Sequence, residues 1–347
     1  MTGGTDGHRV RALVVDDAST QLSQLVEVLH SGGDIVVVGQ PATAADAIEC
    51  VAQSHPDVVI LDLHLRDGQS QQAVEQIMAR TPTPILILSA RMDDRHSPSA
   101  IEALVAGALE ALPRPSRWTP ELGAELRRAV RQISKVHVIR HPRGGSAKGS
   151  RRDAERRSGG HPIVAVAAST GGPSALATLL AGLTGLQAPV LVVQHLHPDF
   201  TTGLVEWMSR VSALPVGTAS QHQLARPGRI YFAPGGRHLR YGANGRLELD
   251  VSPATTHRPS ADELFQSVAD RAGSAGIGVL LTGMGDDGAK GLLAIHRRGG
   301  RTLAQDEASS AVFGMPKAAD RLGGVSELLP LDKLAAGIQR AVREVQV

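Results

Sequence analysis

Cysteine is almost missing. Cys50 stands alone in 347 residues, so the chain can build neither an internal disulfide framework nor a cysteine-based metal site, and a reducing compartment follows. Aromatic residues are nearly as scarce, at 2% of the sequence. That removes the stacking platforms that single-stranded nucleic acids use and leaves the cores to Ala, Val, Leu and Ile. Charge of one sign is lacking too: a formal net charge of +2 is too weak a bias to argue for a nucleic-acid partner. No run approaches the roughly twenty apolar residues of a membrane-spanning helix. Residues 1–8 are polar and Gly-rich, with no apolar stretch that reads as a signal peptide. The expectation is a soluble cytoplasmic protein without nucleic-acid binding or membrane insertion.

What is present is enough apolar material for two domains, with a hydrophobic share of 42% and 38 Gly and 20 Pro for tight turns. Short continuous apolar runs at residues 12–15, 58–61 and 85–88 read as strands of a parallel sheet covered on both faces. Helical stretches at 21–30, preceded by the capping residues Ser19 and Thr20, and at 43–53 lie between them. Residues 141–160, HPRGGSAKGSRRDAERRSGG, have no apolar periodicity and read as a flexible tether, although their arginines could touch an acidic surface or lipid. Strand-like runs then resume at 163–166, 190–193, 229–232 and 277–281, with a hairpin expected within 241–249 around Asn244-Gly245. The pattern predicts two doubly wound α/β domains over residues 9–128 and 161–347, joined by a linker at 129–160.

In the first domain Asp16 and Asp17 follow the first strand, Asp62 ends a later one and Ser89 follows another. Parallel strands present their C-terminal ends on one edge of the sheet, so these groups can converge there. Clustered carboxylates repel unless a cation joins them, and hard oxygen ligands suit Mg²⁺, which in turn can neutralise a phosphoryl group passed to a carboxylate. Any one of these acids alone is more often a helix cap or a solubilising loop residue; the ordered set is more specific. The segments LVVDDAS, VVILDLHLRDG and ILILSA resemble the receiver domains of two-component response regulators. The resemblance implies a flavodoxin-like sheet in which Asp62 accepts phosphate from a chemotaxis sensor histidine kinase. It also implies that Asp16 and Asp17 help hold Mg²⁺, with Asp17 and Asp62 as metal ligands, and that Ser89 contacts the phosphoryl group. Two departures stand out. Arg114, in Ala111-Leu112-Pro113-Arg114-Pro115, stands where the family carries Lys, exchanging a compact ammonium for a planar fork. The turn after Asp62 lacks the usual Met-Pro.

In the second domain Ser169 sits in AASTGGP, between a strand and a helix expected to begin at Pro173 or Ser174. A hydroxyl on a Gly-rich turn at a helix N-terminus is exposed beside N–H donors able to stabilise an oxyanion. The same loop could instead cradle a phosphate. With Ala167 two residues before the serine, the loop is not a G-x-S-x-G elbow, which argues against an ordinary α/β-hydrolase. His195 also ends a strand, with His197 its nearest competitor further into the loop. Residues 282–288, TGMGDDG, follow a third strand and could bind a cation or cap the next helix. Together the three loops suggest Ser, His and Asp acting as a triad: serine needs a base, and the base needs a carboxylate to fix its tautomer. Only one of Asp286 and Asp287 can face the histidine. Asp287 sits where the chain turns into the next helix, whose first N–H groups could hold its carboxylate.

The blocks AASTGGP, VVQHLHPDFT, IYFAPGGRH, HRPSADELFQSVA, LLTGMGDDGAKGL and TLAQDEASSAVFGMPKAA closely resemble the catalytic domain of chemotaxis protein-glutamate methylesterases. The resemblance implies a Rossmann-like domain that hydrolyses glutamate γ-methyl esters on methyl-accepting chemoreceptors and deamidates certain receptor glutamines, without a cofactor. It assigns Ser169 as nucleophile, His195 as general base and then acid, and Asp287 as the orienting carboxylate, with Thr170 and the Met284 backbone near the oxyanion. It further implies that the unphosphorylated receiver blocks the active site. Two other classes compete. A phospho-dependent switch with a degenerate esterase domain would leave Ser169 unlabelled by a fluorophosphonate. A transcriptional regulator would show salt-dependent DNA binding, but the second half offers no basic recognition helix.

Overall fold

Strand β1 (Val10–Val15) opens an alternation that runs through α1 (Ser19–His30), β2 (Ile35–Gly39), α2 (Ala44–Ser54), β3 (Val58–Asp62), α3 (Ser70–Arg80), β4 (Ile85–Ala90), α4 (Pro98–Ala106), β5 (Glu110–Arg114) and α5 (Pro120–Ile133). The computed structural model describes residues 9–90, 98–136 and 161–346, and the chain divides into the units Met1–Val138 and Ile139–Val347. The first unit is a five-stranded parallel sheet in the order β2-β1-β3-β4-β5. Every residue of β3, Val-Val-Ile-Leu-Asp, is buried, as a central strand covered by helices on both faces requires. Thr43 caps α2 by accepting a hydrogen bond from the Asp46 N–H.

Two sequence expectations are corrected here, and one strand is added to those expected. Ser19 and Thr20 are the first residues of α1, and its N-cap is Ala18. The added strand is β2, a short run at the sheet edge after a Gly-Gly pair. The linker does not begin at 129: α5 continues to Ile133 and buries Ala129, Val130 and Ile133, so its apolar stripe keeps those residues in the first domain. The rest of the expected linker, from 137 to 160, lies outside the described residues.

The second unit continues with β6 (Ile163–Ala168), α6 (Gly172–Ala181), β7 (Val190–Gln194), α7 (Pro198–Val211), β8 (Val216–Thr218), β9 (Ile230–Phe232), β10 (His238–Tyr241), β11 (Leu247–Asp250), α8 (Ala261–Ala272), β12 (Gly276–Leu280), α9 (Ala289–Arg297), β13 (Arg301–Gln305), α10 (Met315–Arg321), β14 (Glu327–Leu329) and α11 (Leu331–Gln346). Seven of these strands form a parallel sheet in the order β14-β13-β12-β6-β7-β9-β8. Strands β10 and β11 pair separately as the expected antiparallel hairpin, with Asn244 at positive φ in its turn. Helix α8 buries Ala261, Leu264, Phe265, Val268 and Ala269, a spacing that lays one stripe against the core. Both parallel sheets reverse direction beside their founding strand, β1 in the first and β6 in the second. A crevice opens at such a reversal, at the C-terminal ends of the strands. Among the described residues no helix is long and apolar enough to cross a membrane.

Candidate active site

Strands β12, β6 and β7 are neighbours in the second sheet, and their C-terminal loops carry Asp287, Ser169 and His195 respectively. Sheet order thus gathers three groups that the sequence scatters. Backbone bonds lock the loops together: the Ser169 N–H donates to the Thr282 carbonyl at 3.0 Å, and the His195 N–H donates to the Ala168 carbonyl at 3.0 Å. The Ser169 turn enters α6 through Gly171 at φ +73, where an added Cβ would stand 2.6 Å from the Ala311 Cβ. Gly283 allows an equally close approach, since a Cβ there would lie 2.7 Å from the Cβ of Ser169. Ser169 itself is half-buried.

Asp287 is the most heavily held group in the site. Its Oδ1 accepts from the Ser260 hydroxyl at 2.9 Å and the Asp262 N–H at 3.0 Å, and its Oδ2 accepts from the Ala261 N–H at 2.8 Å. These donors belong to the N-terminus of α8, not to α9, the helix that follows Asp287 in the chain. The expected helix-terminus support is therefore real but comes from a different helix, because α8 packs across α9 and points its first turn at this loop. The Nε2 of His195 lies 2.8 Å from Oδ2, at ion-pair distance although off the line of the ring N–H. Burial by itself would raise the Asp287 pKa. The close approach and charge of the His195 ring, with the Asp262 and Ala261 amides, outweigh it and hold the carboxyl well below the usual carboxylate range. Asp287 thus faces the imidazole with its ionised form favoured. Neighbouring Asp286 is exposed.

The other ring nitrogen of His195, Nδ1, is buried and makes no hydrogen bond to any described residue, so no Ser169–His195 hydrogen bond forms in this conformation. Among the described residues the Thr170 and Met284 N–H groups also donate to no partner. Both flank the Ser169 loop, which makes them available to a developing oxyanion. His197 instead caps α7, its Nδ1 accepting from the Asp199 N–H at 3.3 Å.

Several residues of the site were not singled out in the sequence. The buried amide of Gln194 donates to the carbonyls of Ser169 and His195 at 2.8 and 2.9 Å, tying the nucleophile loop to the histidine loop. Thr282 does the same on the other side, its hydroxyl donating to the Thr170 carbonyl at 3.0 Å while accepting from the Val312 N–H at 2.9 Å. Ser260 was legible as a helix start, because Ser260-Ala261-Asp262-Glu263 has the S-x-x-E spacing of a capping box. Its second partner, Asp287, was not.

In the first domain the acids do converge, but around a protein cation. The buried guanidinium of Arg114 bridges Asp16 and Asp62. Asp16 also accepts from the Ala18 N–H at 2.9 Å, and Asp62 from the His64 N–H at 2.8 Å. Asp17 is engaged elsewhere, accepting from the Arg66 N–H at 2.6 Å. Among the described residues no three acids or histidines are placed to share a metal ion. The donor chemistry is right for Mg²⁺, yet this arrangement does not fit the ion: Asp17 is turned to Arg66 and Arg114 takes the place of a cation between the other two acids. The Asp17–Asp62 metal pair read from the sequence is therefore not assembled here. Ser89 is buried on β4 with its Oγ lacking a hydrogen-bond partner among the described residues, an orphan donor beside this cluster.

Comparison with known proteins bears on both domains. The family described as CheB methylesterase matches residues 164–338, and the response regulator receiver domain family matches residues 12–124. A protein-glutamate methylesterase/protein-glutamine glutaminase of Anaeromyxobacter dehalogenans is 42% identical over 342 residues, covering 97% of each chain. The protein-glutamate methylesterase FrzG of Myxococcus xanthus is 41% identical over 318 residues, covering 90% of this chain and 93% of its own. The crystal structure of the Thermotoga maritima CheB methylesterase catalytic domain superposes with a TM-score of 0.51 at 36% identity, covering 52% of this chain and 98% of that one.

Proposed function

Since the chain belongs to the CheB methylesterase family, with a response-regulator receiver domain ahead of the catalytic domain, we propose that Ser169, His195 and Asp287 are its catalytic triad. The protein is a phosphorylation-regulated hydrolase that removes methyl esters from receptor glutamates, releasing methanol, and deamidates receptor glutamines in chemotaxis-type adaptation. The observation that carries the triad is the 2.8 Å approach of His195 Nε2 to a carboxylate that is itself held by three donors. With Nε2 committed to Asp287, Nδ1 is the nitrogen left to take the Ser169 proton.

Each step then has a group. Ser169 Oγ attacks the ester carbonyl carbon as His195 accepts its proton, and the Thr170 and Met284 N–H groups stabilise the oxyanion. His195 returns the proton to the departing methoxide, releasing methanol and leaving an acyl-serine. Water, deprotonated by the same ring, attacks the acyl carbon; the acyl–oxygen bond to Ser169 breaks, the ring proton returns to Ser169 Oγ, and the glutamate carboxylate leaves. With glutamine the leaving group is ammonia, and the remaining steps are the same. No metal or cofactor is assigned to these steps.

In the receiver we propose that Asp62 accepts the phosphoryl group from a chemotaxis sensor histidine kinase, with Ser89 and Arg114 contacting it. Receiver phosphorylation generally uses Mg²⁺. The proposed substrate is the methyl-accepting chemoreceptor and the proposed site of action the cytoplasm. The test is methanol release from methylated receptor, with and without a small-molecule phosphodonor and Mg²⁺. Ser169→Ala should lose several orders of magnitude in turnover while keeping its fold, and a fluorophosphonate should label wild type only. A variant retaining more than about a tenth of wild-type activity would exclude Ser169 as nucleophile.

A further inference from the structure

A second histidine lies against the catalytic one. The rings of His257 and His195 are stacked with centroids 4.2 Å apart and planes 7° from parallel. His257 belongs to the connection between β11 and α8, a stretch with few apolar residues and most of its surface exposed. Such a segment has no hydrophobic reason to hold a ring in place. Polar ties hold it instead. The fully buried His238 accepts from the Ser260 N–H through Nδ1 at 3.2 Å, and its Nε2 lies 3.0 Å from the Pro253 carbonyl. Arg240 donates to the Ser252 carbonyl at 2.6 Å and to Glu263 at 2.6 Å, pinning the start of the connection to the first turn of α8. The Thr255 hydroxyl donates to the His257 carbonyl at 2.5 Å. One strap thus delivers Ser260 to Asp287 and His257 to His195.

We propose that His257 is a positioning residue for the esterase, its imidazole fixing the plane of the His195 ring in which Nε2 lies 2.8 Å from Asp287 Oδ2. The inference rests on the triad reading above. Asp287 contacts His195 at a single ring atom, a contact that by itself does not set the tilt of the ring. A flat ring against its face removes the tilt and excludes water from that side. When His195 takes the serine proton, the face of the His257 ring presents π-electrons to the new imidazolium, an arrangement that favours the charged ring. His257 exchanges no proton with substrate in this scheme, so an aromatic ring without nitrogen should replace it.

The test compares full-length wild type, His257→Ala, His257→Leu, His257→Phe and Ser169→Ala, each activated with a phosphodonor. Two quantities are read: kcat and KM for methanol release from methylated receptor, and the rate of fluorophosphonate labelling at Ser169. A ring–ring contact of this kind corresponds to a change of about three- to tenfold. Loss of that size is expected in kcat and in labelling for the Ala and Leu variants, with KM nearly unchanged, and His257→Phe should recover most of it. His257→Leu keeps the volume and decides the question if the Ala variant unfolds. Wild-type kcat in the Leu variant would overturn the proposal. So would a Phe variant as slow as the Leu variant, or a loss confined to KM, which would make His257 a substrate contact. Activity surviving in Ser169→Ala would instead sink the triad reading, whatever His257 does.

Discussion

The Ser260 hydroxyl donates to Asp287 Oδ1 at 2.9 Å while accepting from the Glu263 N–H at 3.4 Å. One side chain therefore starts a helix and fixes the carboxylate that orients the proposed base. The strand-end loop of β12 and the N-terminus of α8 become a single unit through this residue.

Ser260→Ala removes both bonds. Loss of an N-cap costs about 1 kcal/mol of stability, read as a shift in the denaturant midpoint. Turnover should fall by roughly tenfold as well, because Asp287 keeps two backbone donors but loses the side chain that sets its rotamer. Unchanged methanol release alongside a shifted midpoint would confine Ser260 to the fold.

Asp287→Asn should lose orders of magnitude in turnover. Both oxygens of the carboxylate face donors: Ser260 and Asp262 at Oδ1, Ala261 and His195 at Oδ2. Whichever way the amide is turned, its NH₂ meets another donor, and the imidazole loses the acceptor that selects its tautomer. Asp286→Asn, an exposed change on the same loop, should cost less than about tenfold. A severe loss in Asp286→Asn with a mild one in Asp287→Asn would reverse the assignment.

Arg114→Gln leaves Asp16 and Asp62 as buried like charges without their shared cation. Breaking a buried ion pair costs about 3–5 kcal/mol, so the receiver should melt early in the absence of divalent ions. Added Mg²⁺ should then raise its melting temperature more steeply than in wild type, since the ion binds only the folded cluster of acids. Parallel Mg²⁺ titrations that shift wild type and variant equally would show that Arg114 does not compete with the cation.

Glu110, at the start of β5, has its pKa raised from the usual 4.5 to about 7 by desolvation, and by repulsion from Glu125 that Arg128 partly offsets. The folded chain then binds more protons than the unfolded one between those two values. The receiver's stability should therefore fall as pH rises through that window. Glu110→Gln should unfold at a higher denaturant concentration than wild type at about pH 8 and at nearly the same one at about pH 4. A pH-independent difference between the two would put the effect on packing rather than ionisation.

Much of the architecture could be read from local pattern alone. Continuous apolar runs such as Val58–Asp62 must be covered on both faces, which makes a parallel sheet with helices between the strands. Parallel strands then put Ser169, His195 and the TGMGDDG turn on one edge. Tertiary structure decided which groups on that edge touch. Asp287 rests on α8, which begins 26 residues before it, rather than on the helix it leads into. The partners of His195 depend on β12, β6 and β7 being neighbours, and the cation between Asp16 and Asp62 comes from β5, 98 residues beyond Asp16. His257 opens the block HRPSADELFQSVA but sits in a stretch without periodicity, so nothing local gave it a role; polar ties from β10 place it on His195. Periodicity reports only which face of a segment is buried, whereas these contacts depend on strand order and on helices crossing one another, which short-range pattern does not encode.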